Sequence, residues 1–260
     1  MAALQLGALD AGTAYVSITV GGNDAGFSSV LTECAKPAWM SNCNGAIDRA
    51  QGVIMDLLPG RLGSLYSSIR SRATQAKIVA VGYPRLFNGT DCNAGTWFSA
   101  SEMSRLNSTA DLLNAKISTA ASGAGFAFSN PTSAFLGHAV CASTEWINGL
   151  SYPISESYHP NRLGHSSGYT PVVGPQLTGS QVILSTMSLQ EAVSSADRLA
   201  AQQRTHSAGD RRIRPEPFVP PDLHSAAARA AAARAGVNLN DRASIDAADR
   251  SYDAAQNQRR

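Results

Sequence analysis

Long apolar runs, lysine and closely spaced cysteines are what this 260-residue sequence has least of. No apolar run approaches the roughly 20 residues that a membrane-spanning helix needs, so stable membrane insertion is not expected. Charged residues make up 15% of the chain and the net charge is +2, so no strong field points to nucleic acid and none is expected as a partner. Lysine occurs only at Lys36, Lys77 and Lys116, and arginine carries the rest of the positive charge. The four cysteines show no Cys-x-x-Cys spacing, which argues against a zinc ribbon or a thioredoxin-type site. No acidic or histidine cluster has metal-ligand spacing, so neither a metal nor a cofactor is expected. The first residues, Met1-Ala-Ala-Leu-Gln-Leu-Gly7, lack the basic start, apolar segment and cleavage site of a signal peptide.

A hydrophobic content of 43% is enough for a core, and the length allows one large domain or two small ones. Four cysteines permit three pairings. Cys34–Cys43 with Cys92–Cys141 is preferred, because each bridge then clips one loop region. Loop entropy makes the first worth about 2.7 kcal/mol and the second about 4 kcal/mol. Paired cysteines imply an oxidising compartment, in conflict with the missing signal peptide, and the expectation is that the protein begins upstream of Met1.

Tyr15–Val20 is a β-rich run that breaks on Gly21-Gly22 and then presents Asn23 and Asp24. Ile47, Ala50, Ile54 and Leu57 recur at helical spacing until Pro59-Gly60 is expected to break the helix. Leu62, Leu65 and Ile69 continue in a second helix, with Pro59 near its first turn. Lys77–Gly82 reads as a buried strand. Ser99 and Glu102 form a capping-box pattern ahead of Met103, Leu106, Ala110, Leu113 and Ile117, which step as an amphipathic helix. Gly125–Phe128 reads as the next strand. This alternation predicts an α/β fold, a three-layer parallel sheet flanked by helices.

The character changes near residue 185, which divides the chain into a domain over 1–184 and an Ala/Arg-rich tail over 185–260. Ser185–Gln203 is expected as one helix, and the stretch from Arg211 to Pro221 as an extended linker. Ser225–Arg234 is a helix former capped by Ser225 and stopped by Gly236. With little large apolar content, the tail is read as helical in part, disordered in part and solvated.

A strand that stops at paired glycines sets a side-chain amide at its carboxyl end, where ligands bind in open α/β sheets. Asn23 placed there can donate to a developing oxyanion, and Gly22 lets substrate approach the backbone. The second informative stretch is Glu156-Ser-Tyr-His159-Pro160-Asn161. An imidazole base needs an acceptor at its other nitrogen. Glu156, three residues before His159, can reach it through one turn, and Pro160 restrains the backbone of His159.

The Tyr15–Phe27 block resembles the oxyanion block of the SGNH (GDSL-type) hydrolases, and acid-x-x-His-Pro resembles their last block. Gly82-Tyr-Pro-Arg-Leu-Phe87, Gly137-His-Ala-Val-Cys141 and Trp146-Ile-Asn148 are similar to the secreted actinobacterial lipase and esterase branch. The resemblance covers about residues 5–180. It implies an esterase or lipase with the SGNH (flavodoxin-like) fold, acting on an ester or lipid substrate, secreted, and a monomer. Asn23, with Gly22, would form the oxyanion hole and His159 would be the general base. The acid role would fall on Glu156, where this branch commonly has aspartate or a backbone carbonyl. Both disulfide pairs match the branch.

The family's nucleophile lies in a Gly-Asp-Ser motif just after its first strand, and no Gly-Asp-Ser occurs in this sequence. The expectation is a domain missing its N-terminal strand and nucleophile, either inactive or a binding module that keeps the pocket. Tyr15–Val20 would then lie at an open, apolar sheet edge, prone to aggregation. Gly164-His-Ser-Ser-Gly168 fits the G-x-S-x-G elbow, which requires a preceding strand and a following helix. The preceding residues are the His-Pro-Asn-Arg loop, so Ser166 is not expected to be a nucleophile. His138 is expected as a structural residue or a pocket wall, His165 at the surface, and Trp97 and Trp146 as anchors.

Overall fold

The computed structural model describes residues 5–180, 201, 204–214 and 216–258. Apart from Ala201, the helix expected over Ser185–Gln203 lies outside the described residues. Three strands form one parallel sheet in the order β1 (Tyr15–Ile18), β2 (Lys77–Val81), β3 (Ala127–Ser129). Parallel neighbours need a helical crossover, and the chain supplies one between each pair. Helices α1 (Phe27–Cys34), α2 (Cys43–Gly52) and α3 (Leu58–Arg72) lie between β1 and β2, and α4 (Ala100–Gly123) between β2 and β3.

Side-chain alternation along the strands separates the two faces of the sheet. Ile78 and Ala80 join Leu58, Leu62, Leu113 and Ile117 in one core under α3 and α4. Val81 and its register partner Ser129 take the opposite face. There Ser129 Oγ donates to the Val172 carbonyl of α5 (Thr170–Thr178) at 2.9 Å. Helices therefore cover both faces, as the sequence rhythm predicts. Among the described residues β1 pairs with β2 alone, and Tyr15 at its start is 55% exposed.

Helix α4 matches its sequence signature in detail. The Ser99 hydroxyl accepts from the Glu102 N–H, and the Glu102 carboxylate accepts from the Ser99 N–H, closing the capping box. Met103, Leu106, Ala110, Leu113 and Ile117 are all buried. The expected break at Pro59-Gly60 does not occur. Instead α2 runs through a π-helical turn, Val53–Leu57, directly into α3. Pro59 has no N–H to give, so the chain accommodates it in the first turn of α3 and shifts register just before it. The shift turns Leu57 outward, 51% exposed, while Ile54 and Leu58 stay in the core.

Two disulfides, Cys34–Cys43 and Cys92–Cys141, form the expected pairs. Beyond the turn α6 (Ser207–Asp210), helices α7 (Ala226–Ala235) and α8 (Arg242–Gln258) carry the tail. Ser225 caps α7 and Gly236 ends it at φ 67°. Contrary to the reading of a solvated tail, these helices are docked. Ala231, Ala232 and Ile245 cluster with Trp39 and Trp97. Trp97 Nε1 donates to Asp246 at 3.0 Å, the Ala38 N–H donates to Asp249 at 2.7 Å, and the Arg242 guanidinium lies 4.6 Å from the centre of the Trp97 ring. Small alanine faces let two flat indoles come close, which compensates for the scarcity of large apolar residues in the tail.

Candidate active site

The site forms at the carboxyl end of β1. Gly21 has φ 118°, and an added Cβ would sit 3.2 Å from Leu113 and 3.3 Å from Leu58, so only glycine fits this turn. Gly22 lies against the ring of Tyr83, and its N–H donates to Tyr83 Oη at 3.0 Å. That amide is therefore engaged and is not a free donor to the cavity. Asn23 is exposed, and its carbonyl accepts from Gly26 to close the turn that starts α1. Asp24 turns away to pair with Arg61 at 2.9 Å.

Tyr83 follows Gly82 at the end of β2. The buried Asn114 of α4 accepts from its N–H at 2.7 Å and donates to its carbonyl at 2.8 Å, which fixes the loop. Burial pushes the Tyr83 phenol up to about 12, against the lowering effect of the Gly22 hydrogen bond, so the hydroxyl keeps its proton at neutral pH.

His159 stands on a loop held from both sides. The Asn148 N–H donates to the His159 carbonyl and the Tyr158 N–H to the Asn148 carbonyl, each at 3.0 Å. Ile147 and Pro160 bridge antiparallel. Asn161 donates through Nδ2 to the Glu145 carbonyl and accepts from the Leu163 and Gly164 N–H groups. The Trp146-Ile-Asn148 and His159-Pro-Asn161 motifs are thus two sides of one clamp. His159 Nδ1 is hydrogen-bonded to the Ser157 carbonyl at 2.9 Å. Glu156, expected as the acid, is exposed and meets His159 through its backbone alone, its carbonyl accepting from the His159 N–H at 3.2 Å.

Asn23, Gly22 and His159 line one cavity of about 740 Å³. Its walls are mostly apolar, with Leu31, Leu106 and Leu113 among them. His165, exposed as expected, also borders it, as does Tyr83. The tail contributes Glu216, Pro217 and Phe218. Sequence reasoning missed Tyr83, although its place after a strand ending in glycine was a usable signal. No side-chain pattern pointed to the Ser157 carbonyl or to the tail.

Ser166 lies in a π-helical turn, Gly164–Tyr169, with no strand before it, so the nucleophile-elbow geometry is not present. Among the described residues no serine hydroxyl is hydrogen-bonded to His159. His138 stacks on Trp146 at 3.8 Å, a structural position. No helix among the described residues is long and apolar enough to cross a membrane.

Residues 1–166 match the GDSL-like Lipase/Acylhydrolase family. A lipase of Streptomyces rimosus is 39% identical over 172 residues, covering 66% of this chain and 63% of the relative. Lipase 1 of Streptomyces coelicolor is 38% identical over 171 residues, covering 65% and 62%. The chain thus spans a little less than two thirds of these relatives. The crystal structure of the extracellular Streptomyces rimosus lipase superposes with a TM-score of 0.60 at 38% identity, covering 66% of this chain and 73% of that one. Phospholipase A1 of Streptomyces albidoflavus gives 0.61 at 38%, covering 66% and 72%. With this match over residues 1–166, more than half of the sequence, the chain belongs to the GDSL-like lipase/acylhydrolase family.

Proposed function

We propose that this is the base and oxyanion half of a carboxylic ester hydrolase acting on acyl esters or lipids. The observation that carries the reading is the convergence of Asn23 and His159 on one apolar cavity. Ser157 holds Nδ1 of His159 through its backbone carbonyl, which leaves Nε2 to take a proton from an attacking hydroxyl. A backbone carbonyl cannot ionise, so it sets ring orientation and tautomer without adding a charge. Asn23 Nδ2 serves as the oxyanion donor, where one such donor is worth roughly 10²–10³ in rate. Glu156 is given no acid role. The two disulfides and the likeness to an extracellular lipase support action outside the cell.

The nucleophile's Gly-Asp-Ser motif is not in the sequence. Fluorophosphonate labelling of the 260-residue chain is accordingly expected to give no adduct. A chain extended at its amino end by the family's Gly-Asp-Ser segment is expected to hydrolyse a short p-nitrophenyl ester. His159→Ala should then lower that rate roughly 10²–10⁴-fold. Hydrolysis indifferent to His159→Ala would refute the assignment. A second reading, a binding module that keeps the pocket without turnover, is favoured by the lack of a serine at His159 among the described residues. An extended chain that binds the ester without cleaving it would establish that one.

A further inference from the structure

The family match ends at residue 166, yet the cavity does not. Phe218 lies 52 positions beyond that match, in a stretch of prolines, and is only 5% exposed. Its ring meets Tyr158 edge-on with centroids 4.9 Å apart, and Tyr158 is the residue immediately before His159. The backbone is pinned beside it, because the Val219 N–H donates to Thr32 Oγ1 of α1 at 2.9 Å. Farther along, α7 and α8 clamp the segment to the domain through Trp39 and Trp97. An extended strap held at both places makes a fixed wall, unlike an end that frays.

On the reading that this cavity takes the acyl chain, we propose that Phe218 is a specificity-determining residue. It closes one side of the acyl pocket from the C-terminal segment and thereby limits the length and bulk of the chain accepted. The occupant is a straight hydrocarbon tail, because Phe218 meets Tyr158 and shares a core cluster with Val30 and Leu31, all four of them lining the cavity. Among the described residues, Glu216 is the one charged group the tail contributes there. The latch on Trp97 transmits no chemistry and only keeps the wall in place.

Binding alone tests this, so the outcome does not depend on a nucleophile. Nile red bound in the cavity is displaced by straight-chain primary alcohols from hexanol to dodecanol. Affinity is expected to rise about fourfold per methylene up to a cut-off length and then level off. Phe218→Ala should move the cut-off to longer alcohols, and Phe218→Trp to shorter ones. Asp246→Ala, which loosens the Trp97 latch without lining the cavity, should move it in the same direction as Phe218→Ala. Opposite shifts for alanine and tryptophan cannot arise from general loss of folding. If the unmodified chain binds the alcohols with a cut-off that neither Phe218 variant moves, the wall is refuted and the acyl pocket stands. If the unmodified chain binds no alcohol at all, both fall.

Discussion

Changing Glu102 to glutamine should make the protein more stable at neutral pH and barely alter it in acid. Glu102 is 6% exposed at the start of α4, with its carboxylate accepting from both the N–H and the Oγ of Ser99 at 3.0 Å. Burial is the largest influence on it. Repulsion from Asp253 and Asp249 on α8 adds to burial, the Ser99 hydrogen bonds oppose it, and the carboxyl rises from 4.5 to about 7. A carboxyl whose folded value is raised takes up a proton on folding between those two values. Its contribution to stability is therefore complete below about pH 4.5, declines as pH rises, and is fully lost above about pH 7. At 1.36 kcal/mol per pH unit the loss amounts to about 3 kcal/mol. Glutamine keeps a carbonyl acceptor for both Ser99 donors and carries no charge. Urea unfolding of both proteins between pH 4.5 and 8 should give a stability difference that grows from near zero to about 3 kcal/mol in favour of the variant. A difference that stays flat across this range would refute the burial argument.

Asn114→Ala should cost about 2–4 kcal/mol, because it leaves the Tyr83 N–H and carbonyl without partners in a buried place. Chemical denaturation checks this. Reducing both disulfides should destabilise the protein unequally. Removing Cys92–Cys141, whose ends are 49 positions apart, should cost about 4 kcal/mol, against about 2.7 for Cys34–Cys43. Single Cys→Ser pairs followed by thermal melting separate the two.

Much of this architecture was legible wherever a side-chain period met a single partner. The Met103–Ile117 ladder, the Ser99/Glu102 cap and the two cysteine pairs each depend on local spacing or loop closure, and each has its expected form. The strand that ends at paired glycines and the braced histidine loop were legible too, since both are local, and the structure brings Asn23 and His159 to one cavity. Three features were not. The π-turn at Val53–Leu57 conserves the apolar pattern on both sides, so periodicity cannot distinguish it from a break. The acceptor for His159 is a carbonyl that every residue possesses, so no sequence marks Ser157, while Glu156 offers an ionisable side chain at a spacing that suits an acid. The wall at Phe218 depends on alanine helices packing against Trp39 and Trp97, a long-range fit that composition reads as solubility.

The parallel register of β1 and β2 has a consequence for how the protein is made. Tyr15 pairs with Lys77, so the first strand emerges from the ribosome well before its neighbour is synthesised. At ordinary elongation rates that interval is roughly 3–12 s, in which Tyr15–Ile18 waits for β2, the strand it pairs with among the described residues. The Phe218 wall and its latch on Trp97 come later still, when the sheet and both disulfide loops have already left the tunnel. The cavity bordered by Phe218 thus acquires its full shape after the sheet does, and a pause or frameshift late in translation would leave the sheet intact while removing that wall.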